Sequence, residues 1–348
     1  MKVFEALGKG SGAFTQIPAP ELKDDQVLVR VVYCGICGTD YALYSGNNGF
    51  VREGRVTYPL RLGHEWSGVV AKVGAKVTRF KSGDRVIGDN AVTCGECGEC
   101  KAGNFAKCKN LYSVGTIDPM WPGSFAEYMM LPERHLYRVA DHVPLLDAAL
   151  VEPLSVAYGG IRKMDIRQDS VVAVIGTGCI ALCAAALAKT KGAERVYVIG
   201  RNPFKLGVAM ELGVSGTINI REDDPQERLL ELTDGRLADF VLECSGAPSS
   251  VETAFQMAEQ RAMIAFIAFY EEILKELDIN LLVMKELTSF GVMGEYGNAE
   301  AALKLLSEND LHLGRCITAQ IGFAELPKAL QNPDTTRLIK TMVKISEE

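Results

Sequence analysis

Four cysteines within fifteen residues, Cys94-x2-Cys97-x2-Cys100-x7-Cys108, constrain this chain more than any other feature. Thiolates two residues apart on a tight turn converge on one ion, and Gly95, Gly98 and Gly103 supply a permissive backbone. Four soft sulfur ligands with no open position describe a structural zinc site. The competing reading is an iron–sulfur cluster, but its common bacterial run ends C-x3-C-P. Here the last gap is seven residues and Lys109 follows, which favours zinc. Ten cysteines in 348 residues are too dilute for a disulfide scaffold. The N-terminal MKVFEALGKG has neither an apolar h-region nor a small-residue cleavage site, so a cytoplasmic, metal-binding protein is expected.

Composition excludes several partners. A net charge of −7 argues against a nucleic-acid or anionic-membrane surface. Apolar runs such as Ile180–Ala188 and Ala262–Tyr270 span nine residues each, whereas a membrane-spanning helix needs roughly 20.

The patterning changes along the chain. Up to about Val151 it is short and β-like, as in Val27–Tyr33 and Gly68–Val73, with Gly, Pro and Asp between segments. From Ser170 to Phe269 strands and helices alternate. Strands are predicted over Val171–Ile175, Arg195–Ile199, Ala238–Glu243 and Ala262–Phe269, and helices over Ile180–Lys191, Pro203–Leu212 and Ser250–Glu259. Strand, helix, strand in series predicts a parallel sheet covered on both faces. A helix over Ala299–Asn309 follows.

Two further constellations carry chemistry. Cys37 in GICGTD and His64–Glu65 in GHEWSG together offer a thiolate, an imidazole and a carboxylate, leaving a fourth position open as in catalytic zinc. Cys34, inside an apolar strand pattern, reads as core. Gly176-x-Gly178-x-x-Ala181 sits directly after a predicted strand and before an Ala-rich helix. That is the context in which glycines let a pyrophosphate approach a helix N-terminus. Gly176, Thr177, Gly178, Cys179 and Ile180 are the expected cofactor turn. An acid at the end of the second strand would hold the NAD ribose, but Gly200 stands there, followed by Arg201, with Lys205 within reach of a phosphate. NADP is therefore favoured over NAD.

GICGTD, GHEWSG, the four-cysteine lobe, VEPLSVA and GTGCIA, in this order and over nearly the whole chain, resemble the zinc-dependent medium-chain alcohol and polyol dehydrogenases. The resemblance implies an α/β protein with a GroES-like β-rich catalytic domain, residues 1–156 and 295–348, around an inserted Rossmann domain, residues 157–294. It implies one catalytic and one structural zinc, with Cys37, His64 and Glu65 as catalytic-zinc ligands. Glu152 matches a second carboxylate that binds the zinc or its water, which points to the sorbitol and threonine dehydrogenase branch. Thr39 matches the hydroxyl that accepts the substrate proton. Lys340, in RLIKTMV, looks like the base paired with the zinc-adjacent Glu, an exposed strand charge being the equal alternative. Many relatives have a histidine where Ala42 stands, so a relay through that histidine is excluded.

Short segments, HEWSG, GDNAVTC and Phe269-Tyr270-Glu271-Glu272, look most like cyclitol dehydrogenases such as the deoxy-scyllo-inosamine dehydrogenases. The implied reaction is reversible oxidation of a secondary alcohol of a polyol, cyclitol or sugar alcohol to a ketone, with hydride transfer to NAD(P). The alternatives are an amino-alcohol or threonine-like dehydrogenase, and more remotely a zinc-independent reductase or non-catalytic relative. Tyr44, Phe50, Tyr112 and Glu271 are candidate pocket residues, with core packing as the ordinary alternative for each aromatic. A homodimer or homotetramer is implied by analogy, with Leu277–Val292 as a candidate interface strand.

Overall fold

The computed structural model describes residues 1–294 and 297–348, with Ala106 described by its backbone. The boundary expected at 294/295 therefore falls where Glu295 and Tyr296 lie outside the described residues.

The central element of the middle segment is Val171–Ile175, buried at every position as its unbroken apolar, Val- and Ile-rich run requires. It pairs in parallel with Arg195–Gly200 on one side and Ala238–Glu243 on the other. Gly216–Asn219, Ala258–Phe266 and Thr288–Gly291 complete a six-stranded sheet. Helices Cys179–Thr190, Pro203–Glu211 and Pro248–Met257 carry the crossovers.

Most predicted boundaries hold to within one or two residues, and the larger departures adjoin one another. The helix expected to reach Glu259 stops at Met257, and the following strand begins at Ala258 and ends at Phe266. The register slips between Ala238 and Phe240, and Arg261 takes a left-handed φ of 64°, so the extra residues bulge out of the strand.

The N-terminal sheet has seven strands built around Gln26–Ile36. Two of them come from the far end of the chain: Lys340–Lys344 pairs antiparallel with residues 33–36, and Ile317–Gly322 pairs with Lys340–Lys344. This closure carries Lys340 to the strand that leads into Cys37. The β-like reading of the first segment missed the helix Gly38–Ser45, which presents Thr39, and the helix Val151–Ile161, which presents Glu152, follows that segment where no element was predicted. Helix Ala299–Glu308 adds Ala302 and Leu303 to the core that holds Leu154 and Ala157. No helix among the described residues is long and apolar enough to cross a membrane.

Candidate active site and cofactor cleft

The first cluster forms where two turns meet. Cys37 caps helix Gly38–Ser45, and His64–Glu65 opens the strand Glu65–Val73. Their ligand atoms, from Cys37, His64 and Glu65, all lie within 4.8 Å of one another. Asp40 holds the turns together, and sequence reasoning missed it although it lies inside GICGTD. Its buried carboxylate accepts from Cys37 N at 2.8 Å and from Gly63 N at 3.1 Å, and stands 3.6 Å from His64 Nδ1. At this distance Asp40 acts on the imidazole through its charge, as an outer-shell carboxylate behind a candidate metal ligand.

The electrostatics of this set fit a cation. Burial, reinforced by Glu65, pushes the Cys37 thiol well above its ordinary value. Burial pulls His64 down, but Asp40, Glu152 and Glu65 outweigh it and its pKa is raised. His64 Nδ1 is buried without a hydrogen-bond partner. Thiolate, imidazole and carboxylate brought this close together are the donor chemistry of a zinc centre. Glu152, 9% exposed, is outside the mutually close trio, yet its charge acts on both Cys37 and His64. Thr39 is half-buried beside Cys37, on the same helix as Ala42.

Lys340 resolves its two readings. It is 4% exposed, and its ammonium donates to Glu65 Oε1 at 2.6 Å, to Glu65 Oε2 and to Ile36 O. Burial acts to lower its pKa, but Glu65 outweighs it and raises the pKa well above the ordinary value.

The second cluster brings together Cys94, Cys97, Cys100 and Cys108, again within 4.8 Å. Gly95 and Gly103 take left-handed φ values of 75° and 78°, which lets the loop curl around its sulfurs. All four are free thiols, and backbone N–H groups of Lys109 and Cys100 pull Cys97 down to about 6. Of the remaining cysteines, Cys34, Cys179, Cys183 and Cys316 are buried as expected, but Cys244 is only half-buried at the end of its strand.

The glycine turn has the shape a dinucleotide needs. Gly176 has φ of +122°, and a Cβ there would meet the Cys244 carbonyl carbon at 3.1 Å. Gly178 caps the twelve-residue helix Cys179–Thr190, and a Cβ on it would meet nothing within 4 Å. Open space therefore lies before the helix N-terminus. Thr177 and Ile180 are half-buried. The Cys179 thiol faces the core, hydrogen-bonded to the free thiols Cys183 and Cys316, leaving its backbone at the turn.

Gly200 has a steric reason. A Cβ there would strike Thr177 Cγ2 at 2.4 Å, so an acid at this position would force Thr177 in the turn to shift. Arg201 is exposed and Lys205 half-buried. Burial, with Arg201 adding repulsion, lowers the Lys205 pKa against the pull of Asp334.

The pocket candidates divide. Tyr44 is core, 1% exposed and tilted against Phe4 at 6.3 Å, and Tyr112 packs on Trp121 at 6.0 Å. Phe50 meets Phe269 edge-on at 5.5 Å. Glu271 accepts from Asn48 Nδ2 at 3.3 Å, from Gly49 N at 3.2 Å and from Arg52 at 3.3 Å. These contacts join the segment between strands Ala258–Phe266 and Thr288–Gly291 to the short helix Gly49–Arg52 of the N-terminal part.

Comparison with known proteins agrees with this geometry. The family model for the alcohol dehydrogenase GroES-like domain matches residues 23–141, and that for zinc-binding dehydrogenase matches residues 179–308. An L-threonine 3-dehydrogenase of Bacillus subtilis (strain 168) is 34% identical over 334 residues, covering 94% of both chains. The chain belongs to the zinc-dependent medium-chain alcohol and polyol dehydrogenases. Within this family, a sorbitol dehydrogenase of Halalkalibacterium halodurans is 30% identical, covering 97% of this chain and 96% of its own. A crystal structure from Sinorhizobium meliloti 1021, bound to NADP, superposes with a TM-score of 0.89 at 28% identity, over 99% of each chain. The protein is accordingly a zinc-dependent alcohol or polyol dehydrogenase, a GroES-like domain joined to a Rossmann-type domain.

Proposed function

We propose that this enzyme oxidises a secondary alcohol of a polyol or cyclitol to a ketone, reversibly, with NADP as the preferred hydride acceptor. The observation that carries the reading is the convergence of Cys37, His64 and Glu65 within 4.8 Å, backed by buried Asp40 and Lys340. These three residues, with Glu152 as the second carboxylate, would hold the catalytic zinc. Cys94, Cys97, Cys100 and Cys108 hold the structural one. Zinc in the first set supplies Lewis acidity toward a substrate hydroxyl. The nicotinamide ring supplies the hydride acceptor.

The chain's own residues do the rest. The Thr39 hydroxyl would take the substrate proton and, with Ala42 in place of a histidine, would release it to water or, with the dinucleotide bound, to its ribose. Gly176, Thr177, Gly178, Cys179 and Ile180 bring backbone N–H groups to the pyrophosphate. Gly200 leaves space at the ribose, and Arg201 and Lys205 bind the 2′-phosphate. Residues 1–156 and 295–348 form the catalytic domain around a cofactor domain of residues 157–294. The enzyme works in the cytoplasm as a homodimer or homotetramer.

The test is a screen of polyols, cyclitols and amino alcohols against NADP and NAD. Turnover confined to amino alcohols would favour the threonine-like alternative suggested by the Bacillus subtilis relative. Initial rates higher with NAD than with NADP would reject the cofactor assignment.

A further inference from the structure

The two carboxylates of the active centre are held by chemically different partners. Glu65 is bound to the Lys340 ammonium, which neutralises it. Glu152 Oε1 accepts from Asn90 Nδ2 at 2.5 Å, a neutral amide that orients a carboxylate without cancelling its charge. Asn90 was not among the residues the sequence singled out.

Asn90 is well placed to impose a position. It lies in a strap, residues 88–93, that leads directly into Cys94. His135 grips this strap at two points: its backbone O accepts from Asp89 N at 3.1 Å, and its Nε2 accepts from Thr93 N at 3.0 Å. The ring's other nitrogen, Nδ1, lies 2.8 Å from Asp89 Oδ2, and the Tyr137 hydroxyl donates to the same oxygen at 3.1 Å. The Asn90 carbonyl accepts from Val114 N at 2.8 Å, and Arg134 donates to Thr93 O at 2.5 Å. A side chain on so pinned a backbone has little freedom to follow its partner, so the carboxylate must conform to the amide.

We propose that Asn90 is a positioning residue, whose amide sets the place of the Glu152 carboxylate beside Cys37 and His64. The inference rests on the proposed function, which puts Glu152 at the zinc. It gives the four-cysteine lobe a second consequence, because the strap that aims Asn90 is continuous with the lobe's first ligand.

The test uses the full-length protein with cobalt(II) in the Cys37 set, read by its visible absorption bands and by its release to a chelator. Asn90→Asp preserves shape but removes the donor and places a negative charge against Glu152; Asn90→Ala removes both. Each is expected to shift the cobalt bands and speed release about tenfold, while the metal of the four-cysteine lobe and the unfolding temperature stay close to wild type. In a Glu152→Ala background the Asn90→Ala change should have no further effect. Unchanged bands in both Asn90 variants would overturn the proposal, as would effects that simply add to those of Glu152→Ala. Failure of wild-type protein to take up cobalt at the Cys37 set would reject the proposed function itself, and is seen before any variant is made.

Discussion

Lys340, on the last strand, donates to Glu65 Oε1 across a buried gap of 2.6 Å, joining residues 275 positions apart at the metal-ligand cluster. Desolvating two charges is expensive, and such a pair persists only because each satisfies the other. Lys340→Met would leave Glu65 buried and unpaired, at a cost of roughly 3–5 kcal/mol. Denaturant unfolding of metal-stripped protein should show that loss. A change below about 1 kcal/mol would contradict the reading, because that is the range of an exposed surface pair.

Asp40→Asn keeps the size of the group that joins the Cys37 and His64 turns but removes its charge. Loss of an outer-shell partner of this kind typically weakens metal affinity by about 10–100-fold. Competition with a chelator, followed at the Cys37 set, should register a drop in this range. Wild-type retention would show that Asp40 does not act on His64.

Cofactor preference should follow Arg201 and Lys205. Hydrogen bonds to charged groups are worth about 1.5–3 kcal/mol each. Replacing both by Ala should therefore raise the dissociation constant for NADPH by at least tenfold and leave that for NADH little changed, measured by fluorescence titration. Gly200→Asp alone should impair both cofactors, because its Cβ would meet Thr177 at 2.4 Å. A clean switch to NAD from that one substitution would contradict the steric account.

The His135 ring should stay neutral well into acid. Its Nε2 accepts the Thr93 N–H, and burial, with Arg134 nearby, lowers its pKa to about 4. Such a depressed group contributes stability above its unfolded value of about 6.5, lost as pH falls through about 4. Asp89 runs the other way: burial raises it to about 7, so its contribution is present in acid and lost as pH rises through that value. The opposition makes global stability a poor readout. Imidazole nitrogen NMR of His135 should instead keep the neutral-ring shift pattern from pH 8 to 5, with any small step near 7 reporting Asp89, and conversion to the imidazolium pattern with a midpoint near 6.5 would reject the assignment.

How much of this was legible in the sequence depended on whether the signal was local. The four-cysteine lobe, the glycine turn and the strand Val171–Ile175 are set by spacing and periodicity, and the structure gives the same bounds for that strand. Helix Gly38–Ser45 was lost because its apolar pattern is weak and its start is fixed by the Cys37–Asp40 turn. Strand Ala258–Phe266 was misplaced because its bulge at Arg261 breaks the period. Lys340 and Asn90 could not be assigned from spacing, since their partners Glu65 and Glu152 are brought to them only by the closed fold. Tyr44 was ambiguous for the same reason, and only packing against Phe4 places it in the core.

Zinc content tests the central claim most directly. Mass spectrometry of the purified protein should find two zinc ions per chain. His64→Ala should retain one and lose turnover, whereas Cys97→Ser should lose the other and chiefly lower stability. A wild-type protein that turns over alcohol without zinc, or a His64→Ala variant that keeps both ions and full activity, would contradict the account.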